Sequence, residues 1–211
     1  MPLAALVLSV IVQPPPCPPE VRAGYAAAVE RARDMGPLAV TGEGQPDGGA
    51  ALDLPPPAVR GACADVELAY WTVRAWRGAR LAAARGGAPE SLVGVRDDLE
   101  RLARVEAGLA GEYARAAVTA AVAAAQDERP EMALYHAHAR GIALRLEALG
   151  TPAFWPLPID ELEGELWFEV DRYAEGCMAY REALGRVSPA RAERIRHILD
   201  GPECRPPGTG R

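Results

Sequence analysis

From position 59 to about 200, apolar residues recur every three or four positions with charged residues between them, the periodicity of helices. Val66, Ala69, Tyr70, Val73 and Trp76 share one face of a long helix, which Gly86-Gly87 breaks. Pro89 occupies the first turn of the next, where Leu92, Val95, Leu99, Leu102 and Val105 alternate at three- and four-residue spacing and Glu100 pairs with Arg104. Gly108 and Gly111 mark a turn. Segment 112–127 then reads as an alanine-rich helix whose small side chains let neighbours approach closely. Pro130 begins a helix running to Leu149, closed by Gly150. Thr151 to Pro158 is a Pro-rich link carrying Phe154 and Trp155. Helices are expected at about 158–169, 172–186 and 189–200, the last with Ser188 as N-cap and Pro189 behind it.

Upstream, Pro18-Pro19 opens a further helical pattern, with Val21, Tyr25, Ala28, Val29 and Ala32 recurring up to Gly36. Gly and Pro dominate 36–58, a connection long enough to carry a contact or to move. No period-two alternation occurs, so the expected fold class is all-α. The organisation is an apolar N-terminus (1–16), a helix and Gly/Pro-rich loop (17–58), a helical domain (59–200) and a Pro/Gly tail (201–211).

Composition narrows the chemistry. All 23 basic residues are arginine, and the chain contains neither lysine nor asparagine, which points to a GC-rich genome. Without lysine there is no P-loop lysine, kinase-type ATP lysine or Schiff-base lysine. Without asparagine there is no N-glycosylation site. A net charge of −6 lacks the basic footprint of a nucleic-acid binder. The one basic cluster, Arg181, Arg186, Arg191, Arg194 and Arg196, reads as a solvated helix face interleaved with glutamates. His136 and His138 stand two apart and so point away from each other on a helix, which argues against a metal site. Cys177 could serve as a nucleophile with His197 as its base only if folding brought the two together. The expectation is a protein that is not an enzyme, with no cofactor and no metal.

Leu3 to Val12 is a run of about ten apolar residues, too short for the ~20 of a membrane span and right for a signal-peptide core. It lacks preceding basic residues and a clear cleavage site, so the alternative is a cytoplasmic N-terminal segment. The four cysteines Cys17, Cys63, Cys177 and Cys204 contain no CxxC. In an exported protein their even count favours disulfides. Of the three connectivities, 17–63 with 177–204 closes the shorter loops; buried free thiols are the alternative. Export to the periplasm or cell envelope is favoured over a cytoplasmic location.

One pattern in the last third is specific. Gly164 is followed three residues on by Trp167; Tyr173 then opens a second helix, Gly176 and Tyr180 stand four apart, and Ala183 follows three later. Segment 160–189 resembles one tetratricopeptide repeat, a ~34-residue helix–turn–helix unit. Glu163 replaces the family's usual leucine and Gly176 its usual alanine, and Pro189 falls about one residue late. The pair 112–127 and 130–149 resembles a degenerate upstream repeat, with Ala133 as its small residue. The final helix, with Ala192, Ile195 and Leu199 inward, fits the capping helix that such arrays need.

The resemblance implies antiparallel hairpins in a right-handed superhelix. It also implies a concave groove lined by Glu161, Glu165, Phe168 and Glu169. Three glutamates at four-residue intervals share one helix face and would receive a protein or peptide partner bearing basic residues. The expected function is therefore a non-catalytic protein–protein interaction module of an exported bacterial protein. The alternative is a structural helical bundle of the envelope without a peptide groove.

Overall fold

The computed structural model describes residues 17–24, 27, 63–105, 107–150, 158–187 and 189–205. Among them are helices only: α1 (19–24), α2 (Ala64–Ala83), α3 (Val93–Ala103), α4 (Gly108–Ala125), α5 (Arg129–Ala148), α6 (Ile159–Glu169), α7 (Tyr173–Ala183) and α8 (Pro189–Leu199). Short 3-10 turns at Pro89–Leu92 and Pro202–Cys204 flank α3 and follow α8. The all-α class is as expected. The expected Ser188 N-cap, the link 151–157 with Phe154 and Trp155, the loop 36–58 and the face carried by Tyr25, Ala28, Val29 and Ala32 lie outside the described residues.

Two boundaries differ from the sequence expectation. Pro89 opens a 3-10 turn, and the α-helix begins only at Val93. Gly108 and Gly111 do not form a turn between helices; α4 begins at Gly108 and continues through Gly111. Gly108, at φ 52°, makes the left-handed step into the helix. Gly111 is buried one turn later, where an added Cβ would make only ordinary contacts with Ala107 and the Val105 carbonyl. At the far end of α5, Gly150 adopts φ 71° and closes the helix, as its position suggested.

α4 is the hub of the fold, contacting α2, α3, α5 and α6. Its alanines are buried almost all the way round the helix, so four neighbours can approach one axis. Bulk comes from those neighbours and from α4's own Tyr113: Tyr70, Trp71 and Trp76 of α2, Leu102 of α3, Met132 of α5 and Leu162 of α6. A separate small core joins α7 to α8, built on Tyr180, Ala183 and Ile195 with Phe168, Leu184, Val187, Ile198 and Leu199 against it. Both cysteine pairs are bonded, Cys17 to Cys63 at the head of α2 and Cys177 of α7 to Cys204 beyond α8. No helix among the described residues is long and apolar enough to cross a membrane.

The C-terminal ends of α2 and α4 meet at Gly87. It has φ 68°, and a Cβ there would lie 1.9 Å from the Ala125 carbonyl oxygen. Backbone cannot swing aside as a side chain can, so Gly87→Ala is expected to lower stability by about 2–4 kcal/mol, from left-handed strain plus overpacking. Gly94→Ala, where an added Cβ meets nothing within 4 Å, should stay within about 1 kcal/mol of wild type. Urea unfolding followed by circular dichroism checks both.

Candidate functional site

Glu161, Glu165 and Glu169 fall on one face of α6, and the structure turns that face inward. From α8, Arg191 reaches Glu161 Oε2 at 2.9 Å and Arg194 reaches Oε1 at 3.2 Å. From α2, Arg80 lies 3.3 Å from Glu165 and 2.6 Å from Glu169. Glu161 is 3% exposed. The expected groove is therefore corrected: the acidic ladder recognises arginine, but the arginines belong to the same chain. α8 is held to α7 by their shared core and by the Cys177–Cys204 bond, and its Arg191 and Arg194 occupy the Glu161 carboxylate. Phe168 is not presented to a ligand either. Its half-buried ring packs edge-on to Tyr173 and Tyr180, with centroids 5.4 Å and 5.6 Å away.

In the arginine cluster Arg181, Arg186 and Arg196 are exposed as expected, and only Arg191 and Arg194 turn inward. Arg191 and Arg194 are ion-paired to buried Glu161, and Arg186 donates to Asp160 at 2.9 Å. A carboxylate with burial on this scale needs compensating charge, which a solvated arginine face would not supply.

Of the residues expected to pack the 160–189 hairpin, Gly164, Gly176 and Tyr180 meet where α6 and α7 cross. A Cβ on Gly164 would come within 2.7 Å of the Tyr180 ring. One on Gly176 would come within 2.3 Å of Phe168 and 3.2 Å of the Gly164 carbonyl oxygen. The two glycines thus mark the closest crossing of α6 and α7, with aromatic rings filling the space beside them. Ala183 is fully buried in the α7–α8 core, and Trp167 packs half-buried on the main core. Tyr173 stays at the rim and donates its hydroxyl proton to Asp171 at 2.6 Å. Glu163, the departure from the leucine pattern, accepts a hydrogen bond from Arg140 of α5, which explains a charged residue there.

Sequence reasoning missed the partners. Arg80 follows Arg74 and Arg77 at three-residue intervals on α2, and its guanidinium also lies over Trp76, 5.4 Å from the ring. Burial disfavours the charge of Arg80, and Glu165 and Glu169 more than reverse that effect, so its pKa rises. The available signal was the i,i+3 spacing of Arg191 and Arg194, which places both on one face of α8.

A second polar cluster joins α5 to α6. His136, Arg140, Asp160 and Glu163 meet there, with Arg186 arriving on Asp160. His136 faces inward and His138 outward, so the two do not converge. Desolvation pushes the His136 pKa down, against the pull of Glu163 and a backbone hydrogen bond at Ile159, and its Nε2 is buried with no hydrogen-bond partner. Arginine cannot exchange protons near neutrality. Cys177 has no thiol, being bonded to Cys204, so the pairing with His197 does not arise. Among the described residues no group of three His, Cys, Asp or Glu is placed to hold a metal ion.

Two outcomes follow from these clusters. Arg80→Met leaves two half-buried carboxylates without their cation and is expected to cost about 2 kcal/mol, less than for a fully buried pair. Adding Glu165→Gln and Glu169→Gln removes the orphaned charges and should recover at least about 1 kcal/mol, measurable by urea unfolding at pH 7. The second concerns acid. A histidine with a lowered folded pKa stabilises the fold above its unfolded value of about 6.5, and that stability is lost as pH falls through the folded value. Unfolding free energy should therefore drop below pH ~6.5 by up to about 1.4 kcal/mol per pH unit, and His136→Gln should flatten that slope.

No protein-family model, no curated protein and no solved structure matches this chain.

Proposed function

We propose that this chain is a non-catalytic, tetratricopeptide-like protein-binding module of an exported bacterial protein. The observation that carries the reading is the crossing of α6 and α7 at Gly164 and Gly176, with Tyr180 and Phe168 packed against the missing side chains. That pairing of small and bulky residues is what the repeat pattern requires. The α4–α5 hairpin lies beside it, and α8 covers the end as a capping helix would. Two disulfides support a working place in an oxidising compartment such as the periplasm or cell envelope. The chemistry present favours binding over catalysis. The clusters are arginine–carboxylate pairs, and the one histidine among them is half-buried with its Nε2 out of solvent.

A second reading has its own observation. Arg80, Arg191 and Arg194 occupy the acidic face of α6, and this favours a closed structural bundle without a peptide groove. Under the first reading the partner docks elsewhere on the helical surface.

Fractionation of the native host with alkylation before and after reduction tests the compartment. Extracytoplasmic protein whose four cysteines react only after reduction is expected; four reactive thiols in cytosolic protein would overturn export. In-cell cross-linking followed by titration of the purified cross-linked protein tests the binding role. Saturable binding of one heterologous partner is expected. A folded chain that cross-links to no other protein would leave the closed bundle as the better reading.

A further inference from the structure

α5 is an edge helix with two apolar faces, and only one of them is covered. Met132, Ala139, Ile142, Ala143 and Leu146 are buried on the side facing α4 and α6. On the opposite side Leu134 is 66% exposed and Leu144 61% exposed. Ala137, Gly141 and Ala148 complete that stripe, all exposed. The spacing 134, 137, 141, 144, 148 alternates three and four, which is the seam of a two-helix coiled-coil contact. At Gly141 an added Cβ would meet nothing within 4 Å, so the centre of the seam is open and small.

We infer that this face is the self-association surface of the protein, occupied by α5 of a second copy running antiparallel about a two-fold axis. Charge selects both the occupant and the direction. Glu131 and Arg145 are exposed, flank the seam on the same side, and make no ion pair among the described residues. When Leu134 meets Leu144 of the other copy and Ala137 meets Gly141, Glu131 falls beside Arg145 of the other copy, and the symmetry repeats the pair. A parallel pairing would instead set Arg140 of one copy beside Arg145 of the other, which is repulsive. On the other flank the two Arg140 side chains come near each other, each already paired with its own chain's Glu163. Ala137 and Gly141 at the middle let the axes approach to the short end of the ~8–10 Å range, with a leucine layer at each side. The contact is one helix wide, at the lower end of specific interfaces, so a dissociation constant on the order of micromolar is expected.

Sedimentation velocity of the oxidised full chain from ~1 µM to ~1 mM, spanning that affinity range, reads the association directly. A concentration-dependent dimer is expected. Gly141→Leu fills the crossing point and should weaken association at least tenfold without lowering the melting temperature, because the site is open in the monomer. Glu131→Arg and Arg145→Glu should each weaken the dimer, and the double exchange should restore it. Glu131 also stands in the first turn of α5, where the helix dipole favours a carboxylate, so thermal unfolding is recorded for every variant. A wild-type chain that stays monomeric at ~1 mM, where even millimolar affinity would show, overturns the proposal. So does a dimer indifferent to Gly141→Leu, or a double exchange that fails to recover. Capture of a heterologous partner is a separate measurement, and its failure leaves this one standing.

Discussion

Everything in this fold depends on how closely other helices can approach α4. Eight of its alanines are buried, and a methyl group brings only about 0.8 kcal/mol where a leucine brings about 1.5–3. The compensation is distance. Small side chains let the backbones of α2, α3, α5 and α6 close in, so each atom gains more neighbours and dispersion contacts accumulate. Such a core has little slack, as Gly87 against the Ala125 carbonyl illustrates. It also leaves the periphery thinly held, and there the chain uses covalent bonds and ion pairs. The Cys17–Cys63 bond fastens α1 to the head of α2, and Cys177–Cys204 fastens the chain end to α7.

One device is used twice to tie α2 to its neighbours. Arg74 and Arg101 both approach Trp71, with guanidiniums 5.3 Å and 4.8 Å from the ring, and both pair with buried Asp98 of α3. Trp76 lies beneath Arg80, which pairs with Glu165 and Glu169 of α6. In each case an aromatic face and carboxylates compensate a cation that packing has partly removed from water. Arginine suits this role because its guanidinium is planar, weakly hydrated and always charged, whereas a buried lysine readily loses its proton. A chain whose only cation is arginine can therefore place charge inside without its titrating away. The absence of lysine, which excluded several catalytic chemistries, also underlies the way these helices are joined.

Helices were legible because their signals are local. Pro130 and Pro189 mark starts and Gly150 an end, and the three- and four-residue spacing of Val95, Leu99 and Leu102 needs no tertiary knowledge. The cysteine pairing was half legible, since loop length favoured the observed connectivity without excluding the others. Gly108 and Gly111 misled because spaced glycines read as a turn, whereas Gly108 supplies a positive φ at the start of α4 and Gly111 simply continues the helix. The acidic ladder was legible as a face and as an arginine receptor. Its occupant was not, because Arg80 lies more than eighty residues upstream in sequence, and that separation carries no periodic signal.

The two faces of the hairpins have exchanged the roles expected of them. On α6 the charged face is internal, neutralised by three arginines; on α5 an apolar seam is external. Charge placed inside does not reward a new partner, because an incoming arginine must first displace one that is already bound, and the gain is only the difference between two similar pairs. Apolar surface left in water does reward a partner, since each leucine covered removes area that no described residue covers. The proposed self-association surface therefore lies on the edge helix, outside the groove that the repeat pattern suggested.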